Sequence, residues 1–463
     1  MKDNPEAPQK NERFIKMTTA PVEKLVLGLA VPSIAIMLTN AFYNMADTFF
    51  VSRLGTSQVA AVGIAFPLMV LIQAIGFFFG QGTGNFVARA LGAQKSEDAS
   101  CMAVTGLVSG FVIMTLIAAV LIFFLRPLVN GLGATESIQF FAMDYVFFIL
   151  LASPWMVASI VLNQLLRFQG SATIAMAGML SGAILNIIID PIFIFTLGLG
   201  VRGAAIATMI CQIISFSILF FYGCTRKVNI RINFSRFSIS LPIYIEMFKG
   251  GFPALVRQGF MSVSALLINH FARPYGDAAI AGISIVNRIV MLVNSIVLGF
   301  GQGFQPICGF NYGAKLNDRV RKAFWFTVRI CSIGLLIISV LLAIFAPYII
   351  ALFRRDDLDV IMIGTQALRL RSTSLPFFAY VVMVNMMTQT MGKAFEASIV
   401  AASRQGLLMI PCLIAFNLLM GLQGVLIAIP LAEMLSLLIV IPITVRVIRI
   451  LSPSDSGVNK GEQ

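Results

Sequence analysis

The sequence predicts an all-α polytopic membrane protein with twelve transmembrane helices in two pseudo-symmetric six-helix lobes around a central cavity. Three observations carry that prediction. Of the 463 residues, 58% are hydrophobic and 11% are charged, where a soluble domain carries about 25% charged residues. Apolar stretches long enough to cross a bilayer, about 20 residues each, recur along the whole chain. The two halves repeat one another at a shift of about 221 residues.

Taken in order, spans are expected near 25–50, 59–90, 103–125, 140–165, 173–197 and 203–222, then near 247–272, 280–308, 323–346, 367–391, 398–420 and 424–447. Many carry an internal proline: Pro32, Pro67, Pro154, Pro253, Pro376, Pro411 and Pro430. Neighbouring helices in lipid re-satisfy the carbonyls a proline frees, so such spans bend without breaking. The expected division is a cytoplasmic tail at 1–24, a first lobe at 25–223, a basic cytoplasmic linker at 224–246, a second lobe at 247–447 and a tail at 448–463. Both tails read as polar and disordered. The first has no apolar core of the signal-peptide kind, so the first span is expected to be its own insertion signal.

The repeat rests on identities at a fixed offset. Pro32 matches Pro253, Gly55 matches Gly276, and FGQG at Phe79–Gly82 recurs at Phe300–Gly303. Gly200-x-x-Gly203 lands on Gly421-x-x-Gly424, and Asn163 lands on Asn385 with one residue of slippage. Six spans per lobe put both lobes in the same orientation, which suits a cleft whose walls rock.

The net charge of +13 does not point to nucleic acid. Its Lys and Arg gather in alternate loops, on the side of both termini, which predicts cytoplasmic termini and a plasma (inner) membrane location. An outward exception is the group Arg354, Arg355, Arg369 and Arg371, expected to pair in part with Asp356, Asp357 and Asp359. The six cysteines lack metal-ligand spacing. One histidine, no serine elbow and no phosphate-binding loop leave no basis for an enzyme or a bound cofactor. His270 is expected at an interface.

Acids inside spans are the sharpest signal. A carboxylate at the centre of a membrane helix costs about 2.5–3.5 kcal/mol on insertion scales, and its usual setting is a wet cavity or a partner. In the first span Asn40, Tyr43, Asn44 and Asp47 fall at helical spacing on one face. The fifth span stacks Asn186 on Asp190, the fourth carries Asn163 and the sixth carries Thr208 and Gln212. Asp47, Asp190, Asn163, Asn186 and Thr208 together would offer oxygen ligands to a sodium ion or a seat for a proton, and the same residues taken singly would serve as interhelical glue. Any metal is expected to be sodium alone, at Asp47, Asp190 and Asn186. The second lobe is expected to lack intramembrane acids. It offers Met383 and Met387 around Asn385 and Gln389, either an adaptable apolar surface or ordinary core. Arg257 and Arg288 read as helix-end or paired groups.

At these residues the chain resembles the multidrug and toxic compound extrusion (MATE) family, near its DinF- and MepA-type branch. The resemblance lies in Pro32 with Asn44-x-x-Asp47, LGTSQVAAVG at Leu54–Gly63, FGQGTGNFVARALGA at Phe79–Ala93, NIIIDPIFI at Asn186–Ile194 and GVRGAAIAT at Gly200–Thr208. It implies export of cationic or amphipathic compounds in exchange for H+ or Na+, by a monomer in the lipid bilayer. It places the coupling site on the five residues above, the substrate cavity on Asn40, Tyr43, Asn44, Gln212, Met383, Asn385, Met387 and Gln389, and helix bending at Pro32. The runner-up is a lipid-linked precursor flippase of the same superfamily, for which Arg257 and Arg288 would meet a pyrophosphate head.

Overall fold

The computed structural model describes residues 14–225, 230, 232–354 and 357–452; the side chains of 43–48, 56 and 137 lie outside the described set. Twelve long helices follow in chain order. The first six are α1 (Val22–Val51), α2 (Thr56–Gly92), α3 (Ser96–Phe123), α4 (Glu136–Phe168), α5 (Ala172–Pro191) and α6 (Gly200–Cys224). The second six are α7 (Leu241–Ala272), α8 (Asp277–Gly313), α9 (Asn317–Phe353), α10 (Leu358–Thr390), α11 (Ala394–Ala402 and Met409–Met420) and α12 (Leu422–Leu451). A π-helical stretch, Ile192–Thr196, prolongs α5, and another, Ser403–Leu407, interrupts α11.

Eleven of these are long and apolar enough to span a membrane. The exception is α10. Arg369, Arg371, Asn385 and Gln389 lower its hydropathy, and residues 381–390 are all buried. Polar side chains survive at membrane depth when protein rather than lipid surrounds them.

The duplication is written in the backbone. Among the described residues only Gln94 (φ 60°) and Lys315 (φ 59°) have positive φ without being glycine, and they are equivalent under the repeat. Gly170 (φ 81°) and Gly392 (φ 80°) form a second pair. The same two turns are cut twice, after α2 and α8 and after α4 and α10.

The two lobes exchange the N-terminal parts of their first helices, while Val51 at the end of α1 and Ile268 and Ala272 at the end of α7 pack in their own lobes. Val22, Leu25 and Val26 of α1 belong to the second lobe's hydrophobic core, and Met247 of α7 belongs to the first lobe's. Glycines permit both crossings. A Cβ on Gly303 would lie 2.5 Å from the Ala30 nitrogen, and one on Gly82 would lie 2.2 Å from the Met247 carbonyl oxygen. Small residues let membrane helices approach this closely, and dispersion then holds them.

Three expectations need correction here. The N-terminal segment is not a loose tail throughout: residues 14–19 are helical, and Asn311 and Arg319 donate to the Met17 and Ala20 carbonyls at 3.2 and 2.6 Å. The second lobe starts six residues earlier than the hydropathy implies, at Leu241, because the first turns of α7 are amphipathic and lie on the first lobe. Tyr244 bonds Ser109 there at 2.8 Å. Finally, Arg371 does not join the aspartates of the ninth loop but pairs with Glu433 of α12. It lies more than three turns into α10, which begins at Leu358, while Arg355 and Asp356 lie outside the described residues.

Candidate functional site

The lobes are sutured at the end where α2 and α8 finish. Arg89 of α2 donates to the Thr390 carbonyl at 2.8 Å and pairs with Glu246 of α7 at 3.1 Å. Thr390 in turn donates to Asn85 at 2.9 Å, and Gln305 of α8 donates to Gln81 of α2 at 3.1 Å. Arg167, fully buried at the end of α4, donates to the Gln302 carbonyl, to Gln164 and to Gln305. Each neutral bond contributes about 1 kcal/mol net, and each unmade one would cost more. Burial is continuous at this end, over residues 301–311 of α8 and 381–391 of α10, and becomes patchy toward the opposite end of the same helices.

Inside the first lobe, α4, α5 and α6 bring four of the sequence-predicted residues into their shared interior. Asn186 Nδ2 donates to Asp190 Oδ1 at 3.0 Å, one helical turn apart, and both residues are buried. Asn186 Oδ1 is buried with no hydrogen-bond partner. The Cys211 side chain of α6 lies within electrostatic reach of Asp190 and within hydrogen-bonding reach of the Asn186 side chain. Asn163 Nδ2 of α4 donates to the Ala175 carbonyl at 3.1 Å and so ties α4 to α5. Thr208 is buried on α6, and the Gln212 carbonyl accepts from Ser159 at 3.4 Å. Asn40 is half-buried on α1. The side chains of Tyr43, Asn44 and Asp47 lie outside the described residues. Pro32 is buried within an unbroken α1, between Ala30 and Ile34, the residues that Gly303 and Gly299 of α8 touch.

In the second lobe Met383, Met387 and Gln389 are fully buried in this conformation, so the methionines are packed core here rather than an open wall. Asn385 Nδ2 donates to the Ala397 carbonyl at 2.7 Å, repeating the Asn163 bond at the equivalent place. Gln389 donates to the Gly250 carbonyl at 2.7 Å. His270 is exposed in the last turn of α7, as an interfacial residue would be.

The expectation that only the first lobe holds intramembrane acids is overturned by Glu433. This residue of α12 is 3% exposed. It pairs with Arg371 at 2.8 Å and with Arg404 at 2.8 Å, and it accepts from Ser374 at 2.6 Å. Arg257 sits mid-way along α7, not at a helix end, and donates to Asn385 Oδ1 at 3.4 Å. Arg288 is exposed. The signal for Glu433 was present in the sequence: a single acid in the apolar run of the twelfth span, the same criterion that picks out Asp47. Among the described residues, no cluster of metal-ligand type is found.

Comparison with known proteins agrees with this geometry. The MatE family model matches twice, over residues 32–192 and 253–414, one match per lobe. The multidrug export protein MepA of Staphylococcus saprophyticus is 28% identical over 427 residues, covering 92% of this chain and 94% of that protein. A MATE crystal structure in complex with MaL6 superposes with a TM-score of 0.90 at 27% identity, covering 94% of this chain and 98% of that one. The outward-facing conformation of a multidrug resistance MATE family transporter of the MOP superfamily superposes at 0.89 with 28% identity, over the same shares. Two matches of one transporter-family model cover more than half of a multi-pass helical chain whose lobes repeat in sequence and in backbone. The chain therefore belongs to the MatE family of multidrug and toxic compound extrusion transporters, which are not enzymes.

Proposed function

We propose that this chain is a cation-coupled antiporter that exports cationic or amphipathic compounds, with H+ or Na+ as the coupling ion and alternating access as the mechanism. The observation that carries the proposal is the Asn186–Asp190 pair, a buried carboxylate beside a buried amide oxygen that nothing donates to. A hard monovalent cation takes oxygen ligands, and a proton on the carboxylate would give the orphan oxygen a neighbouring donor. The drug-export names of the relatives support the same direction. Asp47 joins the site on its sequence position alone.

Ion binding reaches the cleft through α1. That helix packs on α5, which carries Asp190, and on α8 of the other lobe. A change of bend at Pro32 moves the α1–α8 contact at Ala30 and Ile34. Rocking then requires the suture around Arg167 and Arg89 to open while the opposite end closes. On this reading the Lys and Arg distribution puts the sutured end in the cytoplasm, a cleft between the lobes opens outward, and the monomer is the working unit.

The test is ethidium transport by purified protein in proteoliposomes, with the proton and sodium gradients collapsed separately. Loss of transport on collapsing one gradient is expected. Transport indifferent to both would overturn the coupling. The flippase alternative is favoured by the arginines around Glu433, and ethidium export by the purified protein would count against it.

A further inference from the structure

The second lobe buries more positive charge than its acid neutralises. Three guanidinium groups converge there, Arg257 from α7, Arg371 from α10 and Arg404 from α11, and only the last two share the carboxylate of Glu433 from α12. That carboxylate is already saturated. Arg371 Nη2 donates to Oε1 at 2.9 Å while its Nη1 stands in ion-pair contact with Oε2 at 2.8 Å, Arg404 donates to Oε1 at 2.8 Å, and Ser374 donates to Oε2 at 2.6 Å. Arg257 is left with a long bond to a neutral amide, Asn385 Oδ1 at 3.4 Å, and it feels the like charge of Arg404. An incompletely neutralised guanidinium at membrane depth is costly unless an anion or water meets it.

The backbone is arranged to put the charge there. Arg404 lies in the π-helical stretch that interrupts α11, a distortion frequent at functional sites. The equivalent place in the first lobe is Gly182, where a Cβ would lie 3.2 Å from the Cys211 carbonyl oxygen of α6. Glycine lets α5 and α6 close on one another. In α11 the same place carries a cation, whose guanidinium carbon stands 4.4 Å over the Phe378 ring.

We propose that this cluster is an oxyanion site, in which a carboxylate or phosphate is held between Arg257 and Arg404 by their paired N–H donors. The inference extends the export reading, and rests on it only for transport: the compounds handled would carry an anionic group that the second lobe recognises. Binding itself stands apart from export.

The test uses the purified full chain in dodecyl maltoside, with pyrenebutyrate as a fluorescent anion and pyrenebutanol as its neutral counterpart. The wild type is expected to bind pyrenebutyrate at least tenfold more tightly than pyrenebutanol. Arg257→Gln is expected to erase that preference, and Arg257→Lys to retain part of it. Benzoate and dioctanoylphosphatidylglycerol are then added as competitors. Displacement by benzoate assigns the site to soluble anions, whereas displacement by the lipid alone assigns it to a bilayer headgroup; both keep the oxyanion site. Equal wild-type binding of the two pyrenes overturns the proposal without any variant. A folded Arg257→Gln protein that keeps the preference overturns it too. Failure of the wild type to export ethidium would sink the export reading while leaving a measured anion preference intact.

Discussion

Asn163 and Asn385 make the same bond in the two lobes, each clamping the fourth helix of its lobe to a carbonyl of the fifth. Around that shared clamp the lobes diverge. The first lobe surrounds Asp190 with an amide, a thiol and a hydroxyl-bearing helix, and leaves the Asn186 oxygen open. The second lobe surrounds Glu433 with Arg371, Arg404 and Ser374, and leaves its oxygens fully engaged. A duplicated scaffold has thus kept its packing while placing its buried acids at non-equivalent positions, Asp190 on the fifth helix of one lobe and Glu433 on the sixth of the other. On the antiport reading Asp190 meets the coupling ion, whereas Glu433 is held as a strut among arginines.

The comparison can be broken in several places. The largest effect is expected at Glu433. Glu433→Gln removes the charge that holds Arg371 and Arg404, and breaking a buried pair in this way costs about 3–5 kcal/mol. Thermal unfolding of the detergent-solubilised protein should fall well below the wild type. An unchanged midpoint would mean that Glu433 is not a strut.

Next come the exchanged first helices. Gly82→Ala and Gly303→Ala each drive a Cβ into the backbone of the opposite lobe's first helix, at 2.2 and 2.5 Å. Each should cost about 1–3 kcal/mol by overpacking. Both should also open the suture, which N-ethylmaleimide labelling mapped by mass spectrometry to the buried Cys308 reports, with the exposed Cys224 as the internal reference. If only one of the two variants raised labelling, the crossings would not be equivalent.

A smaller effect is expected at the shared clamp. Asn163→Ala should cost about 0.6 kcal/mol, a typical interhelical bond in a membrane. Asn385→Ala should cost more, because it also strips Arg257 of its amide. Equal unfolding midpoints would argue that Arg257 does not depend on Asn385. The smallest effect belongs to the linker. Arg236→Gln breaks a pair with Glu97 whose side chains are 46% and 80% exposed, and exposed pairs contribute about 0–1 kcal/mol.

Much of this architecture was legible in the sequence because membrane helices announce themselves by composition. The repeat was legible because turns cut twice leave the same glycines behind, as at Gly55 and Gly276. Asn186 and Asp190 were legible because a four-residue spacing puts both on one helix face. The exchange of α1 and α7 was not, since periodicity says which face of a helix is buried but not which lobe buries it. The tenth span was expected from about 367 whereas α10 begins at Leu358, because Arg369 and Arg371 lower the hydropathy of its first turns. Burial of Met383 and Met387 depends on how closely Gly301 of α8 approaches α10, where a Cβ would lie 2.2 Å from the Met386 sulfur; no local pattern encodes that distance.

The contrast between the two acids is tested most directly by gradient-driven ethidium export in proteoliposomes reconstituted with Asp190→Asn. The substitution is isosteric and removes the carboxylate charge proposed to seat the coupling ion, so coupled export should fall at least tenfold in a protein that remains folded. Undiminished export by a folded Asp190→Asn protein would contradict the account.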